Sequence, residues 1–187
     1  FGPPPVLLAG VGAMMTKVAG EVCDGFMFHA FTTPDYLRDV TVPALLDGRR
    51  AGGNVSLDGF TVAGPAFACV GRDEAELAGA IAGTKQQIAF YASTEAYRAV
   101  LDHHGWGDLQ PELARLTKQG RWNDMKDAID DDVLRAFAPV GDVDSVARDL
   151  HDRWAGVATR ISLYTTYESH PSLRTELLAA LRAANRV

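Results

Sequence analysis

Residues 6–31, VLLAGVGAMMTKVAGEVCDGFMFHAF, predict a strand, a glycine turn, a helix and a second strand. The apolar run Val6 to Ala9 is typical of a strand covered on both faces in a parallel sheet, and Gly10-Val11-Gly12 ends it. Phe26-Met27-Phe28 predicts the second strand. Between them, apolar residues four positions apart predict an apolar stripe on a helix of about three turns. These residues are Met14, Met15, Val18, Ala19 and Val22. The stretch is one β-α-β unit.

The glycine turn has two interpretations. The first amides of a helix lack intrahelical partners and carry partial positive charge, so this helix start would stabilise an anion, typically a phosphate. The glycines would equally serve to let the strand and the helix pack closely. A dinucleotide fingerprint would need a third glycine where Met15 stands and an acidic residue where His29 and Ala30 stand. Because the sequence has neither, it argues against a Rossmann site. Spacing alone leaves the phosphate and packing interpretations open.

Strand and helix patterns alternate through the rest of the chain. A third strand is predicted at Phe60 to Val70, with a bend or bulge at Gly64-Pro65, and a fourth at Arg160 to Tyr164. The main helices are predicted to start at Thr33-Pro34, Asp73, Asp142 and Pro171, with shorter helices between Gly105 and Gly141. Such alternation indicates an α/β fold with a parallel sheet, here interrupted by a helical insertion over residues 92–140.

Composition narrows the class of protein. A chain of 187 residues with 47% hydrophobic residues can form one domain, residues 1–187, with a sizeable core. A net charge of −6 and a pI near 5.3 argue against nucleic acid or an anionic membrane as partner. The sequence has no run long enough to span a bilayer and no leader pattern, from which we expect a cytoplasmic location. We predict two reduced cysteines, Cys23 and Cys69, and no metal site, since His103-His104 and Asp130-Asp131-Asp132 lack ligand spacing.

Several long segments resemble one known family. They are AGVGAMMTKVAGEVCDGFMFHAFTTPDYLRDVTVPALLDGRRAGG (9–53), FACVGRDEAEL (67–77), IAFYASTEAYRAVLDHHGWGD (88–108) and RWNDMKDAIDDDVLRAFAPVGDVDSVARDL (121–150). This chain is similar there to the luciferase-like monooxygenase superfamily, in particular its branch dependent on coenzyme F-420. The resemblance implies a (β/α)8 TIM barrel with a flavin or deazaflavin at the C-terminal ends of its strands. It also implies that the cofactor phosphate meets Gly10, Val11, Gly12 and Ala13.

The resemblance implies an activity as well. It is hydride transfer between coenzyme F-420, or alternatively FMN, and a small organic substrate. A barrel of this type needs eight strand-helix units and about 200 or more residues. Since the sequence predicts about four units, we expect the C-terminal half of such a barrel, with the insertion before the last strand and the chain a piece of a longer enzyme. Alone it would be inactive, and two copies would associate into a homo-oligomer through unpaired strand edges. The opposed hypothesis is a non-catalytic flavin-binding or structural half-barrel module.

Candidate site residues follow the strands, where β/α barrels build their active sites. His29 could donate a hydrogen bond or a proton, or be a purely structural histidine. Phe31 and Thr32 would form pocket wall, and Tyr164 and Thr166 could contact substrate, although strand ends are often rich in such residues. Because the sequence shows no strong nucleophile, redox chemistry would belong to an organic cofactor. The aromatic residues of the insertion would form a movable cap or simply its core; they are Tyr91, Tyr97, Trp106 and Trp122.

Overall fold

The computed structural model describes residues 2–184 and has two parallel sheets. The strands are β1 (Leu7–Ala9), β2 (Gly25–Met27), β3 (Thr61–Phe67), β4 (Cys69–Val70), β5 (Val140–Gly141) and β6 (Arg160–Tyr164). The main sheet has the order β1-β2-β3-β6 with every neighbouring pair parallel. Strands β4 and β5 form a separate parallel pair. The predicted α/β fold with a parallel sheet is confirmed.

Helices connect the strands. They are α1 (Ala13–Val22), α2 (Pro34–Tyr36), α3 (Val42–Ala51), α4 (Glu74–Ala92), α5 (Arg98–His103), α6 (Leu109–Lys118), α7 (Asp131–Phe137), α8 (Val143–Trp154) and α9 (Pro171–Ala184). A π-helical turn, Leu37–Thr41, joins α2 to α3, and 3-10 turns occupy Glu95–Tyr97 and Trp122–Ala128. Three predicted helix starts are confirmed by side-chain caps, because Thr33, Asp73 and Asp142 each accept a hydrogen bond from a first-turn amide.

The predicted third strand is in fact two strands. The chain breaks at Ala68, whereas Gly64-Pro65 lies within β3 in register with β6. Beyond the break, Cys69 donates its amide to the Pro139 carbonyl at 2.9 Å, which starts the pairing with β5. The Tyr167 hydroxyl spans the break, accepting from the Val70 amide at 2.9 Å and donating to the Ala68 carbonyl at 3.0 Å. The unbroken register with β6 shows that Gly64-Pro65 does not form a bulge, one of the two irregularities expected there. Strand β5 was missed because two residues carry no periodicity.

Helix α1 packs through a different face from the one predicted. The expected apolar stripe lies largely in solvent, with Met14 80% and Val22 72% exposed. The buried face consists of Thr16, Ala19 and Gly20, which lie against α3. Small residues let the two helix backbones approach closely, but they carry little hydrophobic signal in the sequence. Only Ala19 of the predicted stripe is buried.

The α1–α3 contact supports a stability prediction. A Cβ on Gly48 of α3 would clash with the backbone carbonyl of Lys17, so Gly48→Ala forces the helices apart. We expect this substitution to lower the free energy of unfolding by about 1–3 kcal/mol. Gly79→Ala is the matched control, because Gly79 lies inside α4 with no atom near the added methyl group. It should raise stability by about 0.5–1 kcal/mol. Denaturant unfolding measures both, and equal effects would contradict the close helix contact.

Most of the buried hydrophobic residues among residues 2–184 belong to two clusters. One lies between the main sheet and helices α3, α8 and α9, and includes Phe26, Phe28 and Trp154. The other lies mainly among the helices α4 to α7 and reaches the sheet through Phe31 and Phe67. The segment 92–140 therefore shares this second cluster with α4 and with residues at the C-terminal ends of the strands. Within residues 2–184, no helix is long and apolar enough to cross a membrane.

Candidate functional site

A small cavity of about 50 Å³ lies beside the C-terminal ends of β1 and β2. Its walls bring together the predicted turn Gly10 to Ala13 with His29, Phe31 and Thr32. The opposite walls come from the α2–α3 region and from the start of α5; their residues are Tyr36, Val40, Thr41, Ala44, Ala96, Tyr97, Ala99 and Val100. This volume holds about one or two water molecules, so any larger ligand must extend beyond it.

The glycine turn contains two glycines with different surroundings. A Cβ on Gly10 would approach the Met15 Cβ to 2.9 Å, so Gly10 serves close packing. Gly12 caps α1 with φ of 81°, a backbone region that favours glycine, and nothing would meet a Cβ there. No side chain caps the helix and its first turn has no acidic residue. The first amides of α1 therefore face an open, electropositive position that fits a phosphate.

His29 has a defined tautomer. The Phe31 backbone amide lies 3.1 Å from His29 Nδ1, and because an amide can only donate, Nδ1 must be the acceptor. The proton of the neutral ring is thus on Nε2. Burial lowers the pKa of His29 below its usual value, which favours this neutral form. The geometry makes His29 a hydrogen-bond donor through Nε2, and it disfavours the imidazolium that a general acid would need.

The Nε2–H group of His29 has a weak hydrogen-bond partner. Its neighbour is the Tyr97 hydroxyl at 3.4 Å, longer than a normal hydrogen bond. The two rings are stacked with centroids 4.7 Å apart and planes 11° apart. A ligand oxygen in the plane of the ring could therefore take this donor.

Tyr164 and Thr166 do not line the cavity. The Tyr164 hydroxyl is hydrogen-bonded to that of Tyr91 at 2.9 Å, and the Tyr91 ring contacts His29 edge-on at 4.7 Å. Tyr164 is thus connected to His29 through Tyr91. The Thr166 hydroxyl is buried without a hydrogen-bond partner. The sequence marked Tyr91 and Tyr97 as aromatic residues of the cap, but it gave no sign that both contact His29.

The remaining candidates have structural partners. His104 Nε2 lies 2.8 Å from the Thr33 hydroxyl, and His103 lies 3.5 Å from Asp39. These two contacts join the end of α5 to the turn beside the cavity. Asp130 caps α7 by accepting from the Val133 amide at 2.8 Å. Among residues 2–184, no group of three or more His, Cys, Asp or Glu side chains is arranged to hold a metal ion.

The chain is similar to known proteins over most of its length. The sequence profile of the luciferase-like monooxygenase family matches residues 2–160. An uncharacterised protein of Mycobacterium tuberculosis is 49% identical over 158 residues, covering 84% of this chain and 46% of that protein. The 5,10-methylenetetrahydromethanopterin reductase of Methanopyrus kandleri is 30% identical over 158 residues, covering 84% of this chain and 43% of that enzyme.

A solved structure shares the architecture. The coenzyme F420-dependent tetrahydromethanopterin reductase from Methanopyrus kandleri superimposes with a TM-score of 0.71 at 26% identity. The match covers 95% of this chain and 48% of that one. The chain therefore spans about half the length of the relatives that it matches.

Proposed function

Because the chain belongs to the luciferase-like monooxygenase family, we propose that it is the C-terminal half of a (β/α)8 barrel that transfers hydride between coenzyme F-420 and an organic substrate. FMN is the alternative cofactor. The reductase from Methanopyrus kandleri, similar in both sequence and structure, is by name dependent on coenzyme F420 and is about twice as long as the matched region. The preceding units of a longer protein would complete the barrel, with residues 92–140 as its helical insertion.

The single observation that carries this proposal is the meeting of the glycine turn and His29 in one cavity. The free amides of Gly12 and Ala13 would hold the cofactor phosphate. His29 would donate its Nε2 proton in a hydrogen bond to an oxygen of the cofactor or substrate, where negative charge develops. The bound deazaflavin or flavin supplies the hydride.

The apolar walls of the cavity would keep water away from the transfer. Phe26, Phe28 and Phe31 are buried beside His29, and Val100 closes the opposite side. Exclusion of water strengthens the hydrogen bond from His29 and protects the reduced cofactor. Phe31 and Thr32 would contact the bound ligand. Tyr164 and Thr166 would lie further out, toward the substrate.

Turnover by the full-length protein tests the proposal. Reduced coenzyme F-420 or reduced FMN is mixed anaerobically with a panel of ketones, imines and enones, and the oxidation of the cofactor is followed by absorbance. We expect oxidation that depends on both enzyme and acceptor with one of the two cofactors. Binding of cofactor without oxidation by any acceptor would favour the non-catalytic flavin-binding module. The chain of 187 residues alone should be inactive and should form a homo-oligomer.

A further inference from the structure

Two tyrosine rings contact the imidazole of His29 from two directions. The Tyr97 ring is stacked on it, with centroids 4.7 Å apart and planes 11° apart. The Tyr91 ring meets it edge-on, also at 4.7 Å, with planes 79° apart. The two tyrosine rings contact each other at 6.0 Å with planes 77° apart, so they form a corner that encloses two sides of the imidazole. We call Tyr91 and Tyr97 the tyrosine clamp.

The ring of His29 needs such support to have one orientation. The torsion that turns a histidine ring about its Cβ–Cγ bond is broad and roughly two-fold, so the side chain alone does not select an orientation. The Phe31 amide fixes one atom of the ring, because it lies 3.1 Å from Nδ1. A single hydrogen bond still lets the plane of the ring tilt, and the clamp restricts that remaining freedom.

The clamp is itself held by packed neighbours. The Tyr91 hydroxyl lies 2.9 Å from that of Tyr164 at the end of β6, and Gln87 on α4 is a further hydrogen-bond partner. Phe31, which is 2% exposed, contacts the Tyr91 ring at 6.2 Å and the Tyr97 ring at 5.7 Å. Both tyrosines pack against the second hydrophobic cluster. Closely packed neighbours of this kind resist any movement of the two rings.

The clamp belongs to the helical part of the chain. Tyr91 lies in the last turn of α4, and Tyr97 ends the 3-10 turn Glu95–Tyr97 inside the insertion. His29, in contrast, follows β2. The packing of these helical segments on the strand ends therefore determines how the imidazole is oriented.

We propose that Tyr91 and Tyr97 are positioning residues, which hold the His29 ring so that its Nε2 proton is presented to the bound ligand. The inference rests on the proposed function, because only a donor to a reacting ligand needs a fixed direction. Tyr97 acts through its ring face, since its hydroxyl lies 3.4 Å from Nε2 and is at most a weak partner. Tyr91 is not one of the residues that line the cavity, so its effect on a ligand passes through His29.

Nitrogen NMR of the full-length protein without cofactor tests the clamp. The histidine rings are labelled on both nitrogens and observed above the usual histidine pKa of about 6.5, and the His29 signals are those lost in His29→Phe. We expect one tautomer in the wild type, with the proton on Nε2. Tyr97→Leu and Tyr91→Leu keep apolar volume but remove a ring. Each should lower the ratio of the Nε2–H to the Nδ1–H tautomer roughly fivefold, the usual scale of one aromatic pair.

Two control variants separate the clamp from general loosening of the insertion. Tyr97→Phe keeps the stacked ring and should keep the wild-type tautomer. Trp106→Leu removes a ring of the same insertion that is stacked on a different histidine, His104, with centroids 4.6 Å apart and planes 17° apart. It should leave the His29 signals unchanged.

Kinetics of the full-length protein provide a second readout. In single-turnover oxidation of reduced cofactor, Tyr91→Leu should be about tenfold slower than the wild type, because a misdirected donor stabilises the transition state less well. Its affinity for the cofactor should stay within about threefold, since Tyr91 does not line the cavity. A purely structural role would weaken binding and rate together.

Three NMR results would overturn the proposal. They are a mixture of tautomers in the wild type, a single tautomer in both leucine variants, and an equal change in Trp106→Leu. Because the wild-type spectrum alone can contradict the clamp, the test survives a variant that fails to fold. The expected tautomer changes in a protein that turns over no cofactor would count against the proposed function and leave the clamp standing.

Discussion

Ala13→Glu should weaken binding of a phosphate-bearing deazaflavin or flavin to the full-length protein about 100-fold. The new carboxylate would lie at the first position of α1, where the unpaired amides and the helix dipole favour negative charge. Two like charges about 4 Å apart repel by roughly 4 kcal/mol at the effective dielectric of a protein surface, enough for a loss of this size. The fold itself should gain about 0.3–1 kcal/mol from the added charge at the helix start.

Ala13→Glu should lower the affinity for the cofactor and raise the stability of the fold, and these opposite signs make the experiment specific. Loss of affinity with unchanged or increased stability cannot come from unfolding. Ala75→Glu is the matched control, since Ala75 is exposed in the first turn of α4, away from the cavity. The dephosphorylated ligand should bind wild type and Ala13→Glu alike. If Ala13→Glu binds the phosphate-bearing ligand within threefold of the wild-type affinity, the glycine turn does not bind the phosphate. Gly12→Val is less informative, because the φ of 81° strains any side chain.

His29→Phe should slow hydride transfer about 100- to 1,000-fold, the usual effect of removing one donor from a site of developing negative charge. Phenylalanine preserves the stacking on Tyr97 but loses the Nε2 donor together with the Nδ1 acceptor of the Phe31 amide. Tyr97→Phe keeps the ring and removes a hydroxyl that lies 3.4 Å from Nε2, so it should change the rate less than threefold. Single-turnover oxidation of the reduced cofactor by stopped flow measures both. A His29→Phe rate within fivefold of wild type would make His29 structural.

The pH dependence of the rate provides a second readout for His29. In the proposed reaction the active form is the neutral ring, because a proton on Nδ1 would break the hydrogen bond from the Phe31 amide that holds the ring in place for donation through Nε2. Since the pKa of His29 is lowered, the wild-type rate should stay constant through neutral pH and fall only in acid, below the usual histidine value of about 6.5. His29→Phe should lack this acidic fall. The lowered pKa also means that His29 destabilises the folded chain in acid, because the unfolded chain takes up the proton more readily.

The sequence predicted those parts of the fold that local patterns encode. The strand, turn, helix and strand of residues 6–31 and the helix starts at Thr33, Asp73 and Asp142 all depend on neighbouring residues, and each is present. The face of α1 that packs was not predictable from hydropathy, because Gly20 contributes close approach instead of apolar area. Strand β5 was missed because its two residues form a strand only by pairing with β4.

The candidate site, like the fold, was predictable from the sequence only in part. Parallel strands end at the same edge of a sheet, and this rule placed four groups of residues around one cavity: Gly10 to Ala13, His29, Phe31 and Thr32. The tautomer of His29 depends on the path of the chain to the Phe31 amide, which no composition or spacing specifies. The contacts of Tyr91 and Tyr97 with His29 join residues far apart in the sequence, and only the packing of α4 and α5 brings them together.

The most direct test of the account is to locate the cofactor phosphate on the full-length protein by amide NMR. Coenzyme F-420 and FMN are titrated separately while the backbone N–H signals of the turn and the first helical residues are followed. We expect large, saturable shifts at Gly12, Ala13 and Met14 with at least one cofactor, and we expect none with its dephosphorylated form or in Ala13→Glu. Saturable binding that leaves these three amides unchanged would contradict it.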